Sequence, residues 1–438
     1  MAAVPGDIDT DAQPPMTVPL RHFAVGFVFL LVATALGLLN ALGLVEGMTR
    51  AAYRHLLLVG WVCLTIMGAM TQFVPVWSGV SLYSRRLAVA QLWLVAGGVS
   101  GLVAAFLTSG SSWFVPAGVL LLSGIWTFVY NLGRTLWQVP EFDVTEQHFA
   151  LALVWFALLA PLGLTLAAGL SGLTVPLDRT NLLTAHVTVA VFGAVVTTVV
   201  GALYQLATMF TQTELGRFDR VLQQFERVAY PFGVALLAGG RLLASPLLGR
   251  LGGVLVATGL LSVSIVLGRR LLETQVEWTP MLSRYAVLAV AMAAWSLSAT
   301  AAWLVDPLTQ TAVFGGSWSA TVLLVGVVGF VVLGTLYHVV PFIVWVHRYS
   351  DLLGLEPVPM IDDLYDGRLA RVDFALFVGG FCLLVLADVV DPQFARPGAA
   401  FLFAGAVCFV ANMLLVLRRH SPHSLVRVVI GGSPGSSP

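Results

Sequence analysis

The sequence predicts an all-α, polytopic membrane protein with about twelve transmembrane helices. Of its 438 residues, 58% are hydrophobic and 10% are charged, whereas about 25% of the residues in a soluble domain are charged. The mean hydropathy is +0.91. Because roughly 20 consecutive apolar residues cross a bilayer as a helix, and only a helix satisfies its backbone within one segment, long apolar runs mark the candidate spans.

Twelve such runs divide the chain into a membrane domain, residues 22–420, and two polar tails, residues 1–21 and 421–438, which we expect to be disordered. The first 21 residues carry acids and prolines instead of a basic start and an apolar core, so we expect the first span to stay in the membrane. The candidate spans are 22–45, 55–77, 88–108, 113–132, 149–171, 183–210, 228–247, 251–268, 285–305, 312–345, 372–391 and 397–417.

The arginines predict the orientation of the chain, because lysine is absent and arginine supplies all 22 basic residues. Twelve spans would leave both termini on one side, and the loops and tails of that side hold 16 arginines against 6 on the other. The positive-inside rule therefore predicts both termini in the cytoplasm, and we expect the protein in the plasma membrane. We expect the lipid bilayer as a partner and leave open other membrane or redox subunits. The net charge of zero gives no indication of nucleic-acid binding.

The sequence also contains a threefold internal repeat. Similar motifs, "GAMTQFVP", "GALYQLAT" and "GTLYHVVP", close the second, sixth and tenth spans, and their glycines, Gly68, Gly201 and Gly334, are equally spaced along the chain. A unit of four helices is thus predicted to repeat as residues 22–135, 148–270 and 284–418. Such a glycine lets a neighbouring helix or a flat ligand approach the backbone, so Gly68 is either a packing residue or part of a cofactor site.

Two histidines begin equivalent spans of the first two units. His55 precedes Gly68, and His186 precedes Gly201, by about four helical turns in each case, so we expect both near the outer face. Ionisable groups in spans are functional candidates, and an imidazole nitrogen is a good axial donor to heme iron. The two residues are therefore candidate cofactor and metal ligands, and an interhelical hydrogen bond is the alternative.

Three four-helix arcs with a histidine at the outer end of spans two and six resemble subunit I of the heme-copper oxidases. The resemblance is closest to the C-type cytochrome c oxidases and nitric oxide reductases, since "SLYSRRLAVAQLW", residues 81–93, is similar to the arginine-leucine turn and tryptophan-bearing helix entry of those families. The resemblance implies that His55 is an axial ligand of a low-spin heme and that His186 is a ligand of the active-site copper.

The rest of the ligand set that the resemblance implies is missing. Arg241 and Leu242 stand near the position of a histidine pair in the seventh helix, and Ser317, Ser319 and Thr321 replace the histidines of the tenth. We therefore expect no copper centre and no functional terminal oxidase, and whether the protein is an enzyme stays open.

Arg241 is predicted to end the seventh span near the outer face, in the neighbourhood of His186. A guanidinium group suits a heme propionate, and a side chain that snorkels to the interface is the alternative. Acidic residues are almost absent from the interiors of the predicted spans, which leaves little for ion-coupled transport.

Three possibilities remain at this stage. The first is a divergent subunit I-like protein that binds a single b-type heme for electron transfer or sensing, with His55, His186, Arg241 and Gly68 as its cofactor residues. The second is a transporter or channel for a small solute, which would use a lumen left empty by lost cofactors. A heme-free structural relative is the third possibility.

Overall fold

The computed structural model describes residues 14–108 and 110–430, and within them the protein is helical without a β-strand. Eleven helices are long and apolar enough to cross a membrane, and Arg217–Leu242 adds a more polar twelfth. The prediction of an all-α, multi-pass membrane fold is confirmed.

In chain order the helices are α1 (Thr17–Ala41), α2 (Thr49–Ser78), α3 (Arg85–Thr108), α4 (Phe114–Leu136), α5 (Val144–Leu170), α6 (Arg179–Thr211), α7 (Arg217–Leu242), α8 (Pro246–Leu272), α9 (Pro280–Val305), α10 (Ser319–Leu352), α11 (Gly367–Val389), α12 (Ala395–His420) and the short α13 (Leu425–Ile430).

Successive long helices alternate in direction, and the longest loops between them are 306–318 and 353–366. We call the end of the bundle at which α1 begins and α12 ends the terminal face, and the opposite end the distal face. Helix α1 packs against both α2 and α12, so the three arcs close into a ring.

Both predicted tails are shorter than expected. Helix α1 begins at Thr17, five residues before the predicted span, and α13 forms inside the stretch predicted to be a disordered tail. The reason is mutual packing, because Arg21 Nε donates to the carbonyl oxygen of Val428 at 2.9 Å and Val428 is fully buried. The parts of the tail prediction at residues 1–13 and 431–438 lie outside the described residues.

Helix α7 begins at Arg217, eleven residues before the predicted span. Its first turns are charged, which hides them from a hydropathy criterion, but partners on α8 stabilise the buried carboxylate there. Asp219 is fully buried and forms ion pairs of 2.8 Å with Arg269 and Arg270. Charged residues thus continue the helix where a neighbouring helix neutralises them.

The threefold repeat is visible in the backbone of α2, α6 and α10. Each helix contains a π-helical segment of eight residues, and the segments begin at equal intervals along the chain, at Leu56–Cys63, Val189–Val196 and Val322–Gly329. Segments of this kind are rare and frequently occur at functional sites. Their equal spacing shows that the three units share one backbone irregularity.

The repeated glycines are points where the first and second helices of each unit cross. A Cβ atom on Gly68, Gly201 or Gly334 would approach the Cβ of a first-helix residue to 2.6 Å, 2.6 Å and 3.2 Å, namely His22, His148 and Arg284. Eight residues earlier a second glycine meets the first helix again, as Gly60 at Phe29, Gly193 at Trp155 and Gly326 at Ala291. An added Cβ atom would clash at Gly68 and Gly201 and would be tightly packed at Gly334, so Gly68 acts in helix packing.

Candidate functional site

A cavity of about 710 Å³ lies near the distal face, between the first and second repeat units. Helices α2 to α6 supply most of its wall, and residues of the loop 306–318 complete it. Both His55 and His186 line this cavity. Its volume falls within the range of small-molecule and cofactor pockets. The structure therefore brings together two of the four predicted site residues.

His55 is held by its own helix. Its Nδ1 lies 2.8 Å from the carbonyl oxygen of Ala51, so a neutral ring that donates there keeps its lone pair on Nε2. The ring also packs against Phe106, with 5.1 Å between ring centroids. A backbone carbonyl is one of the partners that orient metal-ligating histidines, and His22, His148 and His347 form the same bond within their own helices. The π-helical segment of α2 begins at the next residue.

His186 reaches the cavity from α6. Its Nδ1 is buried and has no hydrogen-bond partner among the described residues, which is costly inside a membrane protein. Its Cε1 lies 3.1 Å from the position that a Cβ atom on Gly163 would occupy, so this glycine of α5 leaves room for the ring. The position of α6 that corresponds to His55 in the repeat is Thr188. The two histidines thus come from different positions of the repeat.

Most of the remaining lining is apolar, and the hydroxyl group of Thr184, which also lines the cavity, donates to backbone carbonyls of its own helix. Arg50, Arg54 and Arg179 line the cavity where α2 and α6 begin, are exposed to solvent, and make no salt bridge within the described chain. The apolar wall includes Leu58, Val59, Phe106, Leu121, Leu159, Ala160, Leu183, Ala190, Val313 and Phe314. The cavity therefore combines an apolar body, two imidazoles and a cationic entrance.

Arg241 is not among the residues that line the cavity, so this cavity gives no support to the prediction that it contacts a cofactor directly. It is 1% exposed, so it does not snorkel to the interface either. Its guanidinium group donates to Thr188 Oγ1 at 2.6 Å and to the carbonyl oxygens of Pro307 and Val313, each at 3.0 Å. Since Val313 lines the cavity, Arg241 is a positioning residue for the loop 306–318.

Gly68 also lies away from the cavity, against α1 in the terminal half of α2. It therefore does not contribute to the cavity of His55 and His186, and a cofactor contact at Gly68 stays a prediction. A glycine at a helix crossing and a glycine beneath a flat ligand produce the same sequence pattern, and only the position of α1 distinguishes them.

Side chains fill the corresponding space between the second and third units. Trp295, Trp303 and Phe192 are fully buried and in ring contact. Trp295 Nε1 donates to the carbonyl oxygen of Phe314 at 2.8 Å. The neighbouring Ser319, at one of the positions where the resemblance would require histidine, shares a hydrogen bond of 2.5 Å with Ser298. This region is packed as a protein core.

Besides Asp219, the terminal half contains the buried carboxylates of Glu146, Glu226 and Asp373, whereas the sequence analysis expected almost none within the spans. Glu226 of α7 is fully buried and accepts from Tyr204 at 2.9 Å, with His148 Nε2 at 3.2 Å. Asp373 of α11 is fully buried and accepts from Tyr337 and Arg284. The internal repeat is the signal that could have found them, because Tyr204 and Tyr337 each follow the repeat glycine by three residues.

The first unit has no such tyrosine, since Thr71 follows its repeat glycine by three residues. Polar side chains occupy the region, and several of their buried atoms have no partner in the described part of the chain: His22 Nε2, Gln72 Oε1 and both amide atoms of Gln91. The terminal half thus also differs between the units.

No group of three or more histidine, cysteine, aspartate or glutamate side chains in residues 14–108 and 110–430 is arranged to hold a metal ion. The chain matches no protein-family model and no curated protein. Its function is therefore inferred from the geometry of the cavity.

Proposed function

We propose that this protein holds one b-type heme in the distal cavity and serves in electron transfer across part of a plasma membrane. One observation carries the proposal: His55 and His186, on different repeat units, line the same cavity of about 710 Å³. Two imidazole ligands make heme iron a low-spin electron-transfer centre. The orientation with both termini in the cytoplasm, and electron exchange with other membrane or redox subunits, belong to the same proposal.

The residues that line the cavity suit both the iron and the propionate groups of a heme. His55 has its Nδ1 hydrogen-bonded to the backbone, which supports Nε2 as the ligating atom. His186 has an unpartnered Nδ1 among the described residues, and Gly163 leaves room for its ring. Arg50, Arg54 and Arg179 at the mouth suit the two propionate groups, since a guanidinium group binds carboxylates through paired hydrogen bonds. The apolar wall would exclude water from the macrocycle.

The chain's own residues would then have three tasks. The histidines would hold the heme iron, and the heme would supply electron transfer. The arginines would neutralise the propionates at the distal face. Arg241 would keep the loop 306–318 closed over the cavity through its bonds to Pro307 and Val313. Copper chemistry has no part in the proposal.

The test is the absorption spectrum of purified, heme-replete protein. We expect a stoichiometric Soret band, and the low-spin spectrum should be lost in His55→Ala and in His186→Ala. The control is His347→Ala, because His347 is exposed and bonds only to the backbone of its own helix. Its spectrum should equal that of the unaltered protein. A heme-replete preparation without a Soret band, or a low-spin band that persists in both ligand variants, would overturn the proposal.

The apolar lining supports one second candidate, the binding or transport of a small apolar solute through the same cavity. This candidate is supported if the purified protein carries no heme and binds an apolar fluorescent probe. Substitution of His55 should then leave probe binding unchanged, because the imidazoles would have no ligand to hold.

A further inference from the structure

A second pocket, of about 800 Å³, lies at the terminal face, far along the bundle from the histidine cavity. The N-terminal ends of α9 and α11 and the C-terminal end of α12 surround it. We propose that this pocket binds a phosphate-bearing anion, the headgroup of an anionic phospholipid, through Arg368, Arg371 and Arg419. The charged and titratable residues that line it are Arg284, Asp363, Tyr365, Asp366, Arg368, Arg371, Arg419 and His420.

The three arginines are available for a ligand. Arg368 and Arg371 are one turn apart on α11, Arg419 lies on α12, and all three are exposed. None of their guanidinium groups makes a hydrogen bond or a salt bridge to another described residue. Guanidinium groups bind phosphate oxygens through paired hydrogen bonds, and basic pockets between transmembrane helices are suited to lipid headgroups.

The carboxylates at the pocket are already engaged. Asp366 caps α11 by accepting from the backbone N–H of Arg368 at 2.8 Å and of Leu369 at 3.2 Å. The N–H groups of Leu369 and Arg368 hold the pKa of the Asp366 carboxyl below its usual range. Asp363 accepts from the backbone N–H of Met360 at 2.9 Å. These bonds reduce the competition of both carboxylates for the arginines.

A buried donor without a partner lies at the base of the pocket. Arg284 is 1% exposed, and its terminal nitrogens donate to Pro280, Ala370 and Asp373. Its Nε has no hydrogen-bond partner in the described part of the chain. Native structures leave few buried donors unpaired, but this nitrogen is itself inaccessible, so the three exposed arginines, and not Arg284, would contact the ligand.

The rim of the pocket indicates a lipid as the source of the phosphate. Trp278 lies at the edge and is 55% exposed, and Phe374 lines the same space. Tryptophan is enriched at the level of lipid headgroups. A phospholipid would thus reach the arginines with its phosphate while its glycerol and acyl chains follow the aromatic edge into the bilayer.

The test compares lipid binding by native mass spectrometry of the purified full-length protein. Phosphatidylglycerol, phosphatidylcholine with the same acyl chains, and glycerol 3-phosphate are added separately to the protein and to Arg368→Gln/Arg371→Gln. The control is Arg85→Gln/Arg86→Gln, because this exposed pair begins α3 outside the pocket. We expect the pocket variant to bind phosphatidylglycerol roughly tenfold more weakly than the control and the unaltered protein.

The outcomes separate the possible sources. Preference for phosphatidylglycerol over phosphatidylcholine, with no binding of glycerol 3-phosphate, identifies a lipid. Equally strong binding of glycerol 3-phosphate identifies a soluble phosphate and overturns the lipid assignment. If the pocket and control variants lose phosphatidylglycerol binding equally, the effect is one of general charge, and the proposed site is overturned. Thermal unfolding checks that both double variants are folded, and no outcome depends on heme.

Discussion

The two spaces between successive repeat units differ although the same helical plan builds both. Between units one and two the cavity holds two imidazoles and an apolar wall. Between units two and three Trp295, Trp303 and Phe192 fill the interior, and Arg241 fastens the loop 306–318 over them. The difference shows that a shared backbone repeat does not preserve a shared site. Side-chain volume decides which space stays open to a ligand.

The largest expected effect comes from loosening the packed space. Arg241→Ala would leave Thr188 and the carbonyl groups of the loop 306–318 without their buried donor. We expect the free energy of unfolding in detergent to fall by about 3–5 kcal/mol, since removing a buried charged donor leaves several buried acceptors without a hydrogen bond. Heme retention should fall with it, because Val313 and Phe314 line the cavity.

Arg250→Ala is the matched control for this substitution. Arg250 is exposed at the same face and donates one bond of 3.2 Å to Val305. We expect a change of less than about 0.5 kcal/mol there. If the two variants lose equal stability, Arg241 does not anchor the loop and the comparison between the two spaces fails.

Filling the cavity between the first and second units should change stability less than Arg241→Ala does, and it should strongly reduce heme binding. Ala160→Phe adds an aromatic ring to the wall of the cavity. We expect the free energy of unfolding of the heme-free protein to rise by about 1 kcal/mol, as it commonly does for cavity-filling substitutions. The heme content should fall below about one tenth of that of the unaltered protein, because a cavity filled by side chains no longer admits the cofactor. Unfolding in detergent and the Soret absorbance measure the two quantities.

The control for the added ring is Ala301→Phe, on the exposed surface of α9. It should alter neither heme content nor stability by a measurable amount. A loss of several kcal/mol in Ala160→Phe would mean that the space is too small for a phenyl ring, as overpacked cores behave.

The smallest expected effect concerns one hydrogen bond in the packed space. Trp303 Nε1 donates to the carbonyl oxygen of Ala312 at 2.7 Å, and Arg241 donates to the same oxygen at 3.3 Å. Trp303→Phe removes the first bond but leaves the acceptor paired, so we expect a loss of about 1 kcal/mol. Exposed Trp113 supplies the control, Trp113→Phe, which should be neutral in the same unfolding assay. A loss above about 3 kcal/mol would show that Arg241 does not compensate.

Parts of the site followed from the sequence and parts did not. The sequence selected His55 and His186 because imidazoles are uncommon in apolar spans, and the two lie in one cavity. It also proposed Arg241 and Gly68, which the fold uses for loop anchoring and helix crossing. Residue type alone does not distinguish these roles, because a guanidinium group satisfies backbone carbonyls as well as it satisfies a propionate.

The buried carboxylates Glu226 and Asp373 were missed because a sequence pattern does not show the partners of a side chain. Hydropathy excluded the first turns of α7 from a span, yet Glu226 is buried because Tyr204 and His148 on two other helices bond to it. A local measure counts the cost of a buried charge and omits the partner that offsets it. The partner is a property of the assembled bundle.

The sequence by itself determined the number and approximate limits of the helices, and the equal spacing of the repeated motifs that groups the helices in fours. Those features depend on local quantities, the apolar content of about 20 residues and the recurrence of small residues at helix contacts. Only the tertiary structure decided that one space between units is open and the next is filled. That outcome depends on the summed volumes and bonding partners of side chains from helices distant in the chain, which close packing combines and no single segment contains.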